Sequence, residues 1–197
     1  MGGFLLLDIS KGYLYHKVNI NYFTIKEFLA MNEDVLILET LNQLNISYTR
    51  ITHEPAFTID DIKHLGEFDG NVCKNLFLYD KRADRHYLVT MLQDKKAHFN
   101  TIRKRLKAAS LVFGTEDKLL ELLGVTPGSV SPLGIVHAQN KSLTLLLDED
   151  LPKQSKLGFH PNINTSTFII SYADFEKYII HCDIPYEFIG VTKDSDL

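Results

Sequence analysis

Apolar residues recur every third position at Val35, Leu38, Leu41 and Leu44, a spacing that predicts a helix from Asp34 to Asn45. From Ile46 to Thr52 the pattern changes to alternation among β-branched and aromatic residues, so a strand follows. Thr58-Ile59-Asp60-Asp61 opens a short helix, with Thr58 as its cap, acid in its first turn and Gly66 closing it. Val72 to Tyr79 and His86 to Leu92 read as strands joined by the polar hairpin Asp80 to Arg85. Leu76, Phe77 and Leu78 make the first of these apolar on both faces, which predicts a central strand. Phe99, Ile102 and Leu106 mark a helix whose outer face is Arg103, Lys104, Arg105 and Lys107. Thr115 caps the next helix, which buries Leu119, Leu120, Leu122 and Leu123 and stops at Gly124. Further strands are expected at Ile135-Val136-His137, Leu143 to Leu147 and Thr167 to Ile170, with a polar turn at Gln139-Asn140-Lys141. Ser171 caps a last helix with Phe175, Tyr178, Ile179 and Cys182 on one face, and Tyr186 to Val191 closes the chain as a strand.

Strands joined by hairpins are incompatible with a simple doubly wound parallel sheet. The pattern predicts an α+β fold: a mixed, largely antiparallel central sheet with flanking helices. Residues 1–30 differ. They hold Gly2-Gly3 and scattered aromatics without a clear period, and helical character begins only near Ile25.

Composition narrows the function classes. A chain of 197 residues fits one domain with an appendage, and a domain of that size buries roughly 70% of its unfolded surface. A net charge of -4 argues against sequence-independent nucleic-acid binding, but leaves room for a local basic patch. Lys95-Lys96 and Arg103-Lys104 form the best such patch, as phosphate contacts or as a solvated helix face. Two cysteines, Cys73 and Cys182, are no disulfide framework and suit a reduced compartment. No run approaches the roughly 18 apolar residues that span a bilayer, and Phe4-Leu5-Leu6-Leu7 is too short for a signal core. The expected location is the cytoplasm.

Zinc spacings such as HExxH or CxxC are absent, as are the GxxxxGK[ST] phosphate loop and the GxSxG elbow. No metal or organic cofactor is implied. Lys74 opens its apolar strand, either snorkelling to solvent or holding an ammonium over a pocket. Gly128-Ser129-Val130-Ser131-Pro132 is a loop in which glycine allows close approach and backbone N–H groups can cradle an oxyanion; an ordinary turn is the plainer reading. His160 stands in Gly158-Phe159-His160-Pro161, as a surface histidine or as one that orients water.

Taken together, the string Lys74-Asn75-Leu76-Phe77-Leu78, the loop Gly128 to Pro132 with Gly134, and Phe159-His160-Pro161 with Asn164-Thr165 resemble the YbaK/prolyl-tRNA-synthetase-associated editing domains. Phe57-Thr58 resembles the same family's Pro-x-Phe-Thr element. Leu133 departs from the phenylalanine common at that place in the family. The resemblance covers 31–192, leaving 1–30 as an extension with Met31 as the functional start, and 193–197 as a tail. It implies a free-standing deacylase acting in trans on alanine mischarged onto tRNA(Pro). Lys74 and His160 would be catalytic, and Phe57, Thr58, Asn75, Gly128, Ser129, Pro132, Gly134, Asn164 and Thr165 would bind substrate. The implied partners are the acceptor end of tRNA(Pro) and prolyl-tRNA synthetase. Two alternatives stay open: the same fold acting on cysteinyl-tRNA(Pro), or a non-catalytic module that binds a tRNA end or a synthetase.

Overall fold

The computed structural model describes residues 34–55, 70–138 and 142–193, together with the backbone of two short paired strands, β1 (Leu6–Asp8) and β2 (Tyr13–Tyr15). The proposed start at Met31, the helix read at Thr58 to Gly66, the turn at 139–141 and the last four residues lie outside them.

Eight strands form one mixed sheet. They are β3 (Tyr48–Thr52), β4 (Asn71–Asp80), β5 (Arg85–Leu92), β6 (Leu111–Phe113), β7 (Leu143–Asp148), β8 (Lys156–Phe159), β9 (Ser166–Ser171) and β10 (Tyr186–Ile189). The order is β10-β7-β5-β4-β8-β9-β3, with β6 beside the far end of β4. The β4–β5, β4–β6, β8–β9 and β3–β9 pairs are antiparallel; β4–β8, β5–β7 and β7–β10 are parallel. The expected mixed, largely antiparallel sheet is what forms, and β4 lies inside it as its doubly apolar stretch required.

Among the described residues, four α-helices cover the sheet. Helix α1 (Val35–Gln43) is capped by Asp34, and α2 (Phe99–Arg105) by His98. Helix α3 (Glu116–Leu123) is capped by Thr115 and ends on left-handed Gly124; α4 (Tyr172–Cys182) is capped by Ser171. Strand alternation sends side chains to two separate cores. One packs Phe77, Leu88, Leu145, Phe159 and Phe168 against α1, α3 and α4, through Ile37, Leu41, Leu122, Leu123, Phe175 and Tyr178. The other packs Leu78, Val89, Met91 and Leu146 against Ile102 of α2.

One local expectation is corrected and two strands are added. Ile135-Val136-His137 is not a strand but the end of a 3-10 helix, Pro132–His137. Pro132 starts it without a backbone N–H, and Ser131 Oγ caps it by accepting from Leu133 N at 3.1 Å. Strands β6 and β8 form where no element was expected. Both are short, and each is stabilised by pairing with β4 or β9 rather than by its own alternation.

Candidate active site

The sheet opens along one edge of β4. Strand β8 pairs with it only at Asn71↔Leu157 and Val72↔Gly158, and β6 only at Leu78–Asp80. Between them, from Cys73 to Leu76, no strand pairs with that edge among the described residues. Lys74 sits in this gap, half-buried and opposite Met91 of β5. Burial pushes its ammonium below the ordinary lysine range, with Asp94 pulling the other way. Its neighbour Cys73 is a packed thiol whose pKa is driven far up by burial, then by Asp148, so it is no nucleophile at neutral pH.

Asn75 points to the opposite side of the strand from Lys74. There its Nδ2 donates to Val130 O at 2.9 Å, while Thr90 Oγ1 donates to its Oδ1 at 2.8 Å. One amide therefore clamps the loop at 128–132 onto β4. In the loop Gly128 has a φ of 92°, which a side chain would strain, and Ser129 is buried with its N–H on Thr126 O. Pro132 and Gly134 are buried as well. A cavity of about 220 Å³ opens beside the loop, lined by Asn75, Phe77, Phe113, Leu119, Gly128 and Val130.

His160 arrives from β8. It follows directly on Phe159, the last residue of β8, and the pairing of β8 with β4 ends at Val72↔Gly158, two residues before His160 on one strand and two before Lys74 on the other. Its Nε2 is shut off from solvent and has no hydrogen-bond partner among the described residues. Burial, then the facing His53, lowers its pKa to about 4, so the imidazole is neutral at physiological pH. The two rings stand 5.9 Å apart.

Sequence reasoning passed over His53. It is buried, its Nδ1 meets Glu54 O at 2.8 Å and its Nε2 meets Thr167 Oγ1 at 3.0 Å. A carbonyl can only accept, so Nδ1 carries the hydrogen and Nε2 accepts from the threonine. The only signal in sequence was its place just before Glu54-Pro55. Asn164 and Thr165 are half-buried, and Thr165 O accepts from His53 N at 3.0 Å. Phe57 and Thr58 lie outside the described residues. In the basic group, Lys96 and Lys104 are exposed and Arg103 is half-buried on α2. Lys95 is already committed: its ammonium is held by Asp148 at 2.7 Å and by Asp150.

Residues 53–178 match the family model of the aminoacyl-tRNA editing domain, and this stretch contains Lys74, the loop at 128–132 and His160. The chain belongs to that family. Over 152 residues this editing domain is 33% identical to the prolyl-tRNA editing protein ProX of Acetoanaerobium sticklandii, spanning 77% of this chain and 93% of that one. It is 35% identical to the prolyl-tRNA synthetase associated domain-containing protein 1 of Danio rerio, over 72% of this chain and 78% of the relative. Among solved structures it resembles a candidate trans-editing enzyme for prolyl tRNA synthetase, with a TM-score of 0.58 and 15% identity over 79% of this chain and 94% of the other. That likeness concerns the fold. The editing domain is an aminoacyl-tRNA deacylase, a hydrolase. Among its described residues no helix is long and apolar enough to cross a membrane.

Proposed function

We propose that the protein removes alanine mischarged onto tRNA(Pro), acting in trans at the opening between β4 and β8. The observation that carries this reading is the buried Nε2 of His160, without a hydrogen-bond partner among the described residues, just past the end of β8, with the half-buried Lys74 two residues past the last pair of β8 with β4. A lysine there is a cation for the ester carbonyl, whose oxygen gains charge as water adds. His160 positions the aminoacyl end for that attack. Attack forms a tetrahedral centre. Its collapse breaks the bond from the carbonyl carbon to the ribose oxygen, which leaves with a proton, assisted by the neighbouring 2′-hydroxyl. An aminoacyl ester is labile, so positioning and oxyanion stabilisation suffice without a nucleophilic triad.

Size supplies the selection. A synthetase pocket shaped for proline rejects a smaller side chain by only roughly 1–3 kcal/mol per methylene, and a second pocket too small for proline supplies the rest. The loop at 128–132, which holds Ser129 and Pro132 and runs on to Gly134, meets the terminal adenosine from the Asn75 side of β4, across the unpaired edge from Lys74. Asn164 and Thr165 contact the substrate beside it. Lys96, Arg103 and Lys104 meet backbone phosphates of the acceptor stem. The names of the relatives point to prolyl-tRNA synthetase as the enzyme whose errors are corrected.

A deacylation panel with alanyl-, cysteinyl- and prolyl-tRNA(Pro) tests the assignment. Alanine should be released and proline spared. Lys74→Ala should lose at least about 100-fold in kcat, the scale of one oxyanion donor, while remaining folded. Preferential release of cysteine would move the substrate to that amino acid, and full activity of Lys74→Ala would remove the lysine from the mechanism.

A further inference from the structure

The loop at 128–132 and the histidine at 160 approach the site from different parts of the chain, and one buried carboxylate joins them. Asp34 caps α1, its Oδ1 accepting from Leu36 N at 3.0 Å and from Ile37 N at 3.4 Å. Its Oδ2 has two other partners, Asn162 Nδ2 at 2.8 Å and His137 Nε2. Asn162 also donates to Leu123 O at 3.0 Å, one of the carbonyls left open at the end of α3. His137 ends the 3-10 helix that begins at Pro132, so it is the exit of the loop. Asn162 is two residues beyond His160, in a left-handed turn with a φ of 61°.

The packing here leaves no slack. A Cβ on Gly134 would lie 2.9 Å from Asn162 Oδ1 and 2.9 Å from Leu123 O. Tyr178 pins the same 3-10 helix, donating to Leu133 O at 2.6 Å. Burial alone would raise the Asp34 pKa, but the hydrogen bond and charge of His137, with the Asn162 amide, hold it below the ordinary range. The carboxylate is therefore ionised and fully engaged at neutral pH. Asp34 lies outside the segment that matches the family model, which begins at residue 53.

We propose that Asp34, His137 and Asn162 form a positioning unit that ties the loop exit to the His160 turn and so sets the distance across the reactive opening. The unit touches no substrate. Its effect rests on the deacylase reading and falls on kcat, because a displacement of about 1 Å in a reacting group can cost about 100-fold.

Two substitutions isolate it. Asn162→Gly deletes the amide while keeping the left-handed turn, and Asp34→Asn keeps an equally good helix cap while losing the second acceptor oxygen. Each should lower single-turnover deacylation about 10- to 100-fold, with KM within about threefold of wild type. The double variant should be no slower than the slower single one, since both changes break one unit. Imidazole NMR signals of His160 should shift in both singles. Should Asn162→Gly fail to fold, Asp34→Asn carries the same measurements. Wild-type kcat in a folded variant, or losses that multiply in the double variant, would overturn the proposal. If wild-type protein releases no amino acid from any charged tRNA, the deacylase reading fails, and the His160 signals decide the positioning claim alone: shifted, it stands; unchanged, it falls.

Discussion

Asn75 offers the sharpest separation between holding the fold and holding the site. Its side chain joins Val130 O at 2.9 Å on the loop to Thr90 Oγ1 at 2.8 Å on β5. Asn75→Ala removes both bonds and leaves the Thr90 hydroxyl, which is completely buried, without its acceptor. Two net hydrogen bonds at about 1 kcal/mol each, plus part of the cost of that stranded hydroxyl, predict a loss of roughly 2–3 kcal/mol. The loop also loses its clamp on β4, so single-turnover deacylation should fall at least about tenfold, or about 1.4 kcal/mol of transition-state stabilisation. Thr90→Val is the matched control. It removes the strand-side bond at constant shape, costs about 1 kcal/mol, and leaves the Val130 contact in place. Its kcat should stay within about threefold of wild type. Urea unfolding gives the stabilities, and quenched release of radiolabelled amino acid gives the rates. The reasoning fails if Thr90→Val loses as much activity as Asn75→Ala, or if Asn75→Ala loses stability alone.

Three further outcomes follow from the same geometry. His160 has a native pKa of about 4 against an ordinary 6.5, so over that window the unfolded chain binds more protons than the folded one. Its contribution is fully present above pH 6.5 and is lost as the pH falls toward 4, by roughly 3 kcal/mol in all; urea midpoints for His160→Gln should show a visibly shallower acid slope than wild type. Gly134→Ala should cost about 1–3 kcal/mol by overpacking against Asn162 and Leu123, read as a drop in urea midpoint; an unchanged midpoint would mean the contact relaxes freely. Replacing Arg103 and Lys104 together by Gln should weaken binding of charged tRNA and flatten its log–log salt dependence by about 1.5–2, whereas an unaltered slope would take α2 off the RNA.

How much of this was legible in the sequence depends on the range of the forces involved. Local rules found the caps at Thr115 and Ser171 and the stop at Gly124, because each is a bond within one turn. The central place of β4 was visible in the run Leu76-Phe77-Leu78, since only a strand covered on both faces tolerates it. The same apolar logic misread Ile135-Val136-His137. A three-residue apolar run fits a strand or a buried 3-10 turn equally well, and the deciding signal was upstream, in Ser131-Pro132. Strand β8 was hidden for another reason: it is short, carries Gly158, and exists through its partners.

That hidden strand brings two motifs far apart in the chain to neighbouring strands of one sheet. β8 returns parallel to β4 and pairs with it at Asn71 and Val72, so the chain leading to His160 runs beside the stretch of β4 leading to Lys74. Lys74 and His160 are thus linked through the pairing of two strands rather than by any local motif. Among the described residues, the unpaired stretch of β4 exists because β8 parts from β4 after two pairs while staying with β9, and β6 joins only at Leu78. A sheet that divides in this way exposes the edge of a central strand, which is otherwise the best-protected backbone in such a fold. Something must hold the two halves at a fixed spacing, and the Asp34 carboxylate spans them through partners 103 and 128 residues away in sequence. No periodicity could reveal a bond over such separations. Its one local trace was an aspartate at a helix start, which reads as a cap and is also the hinge pin of the opening.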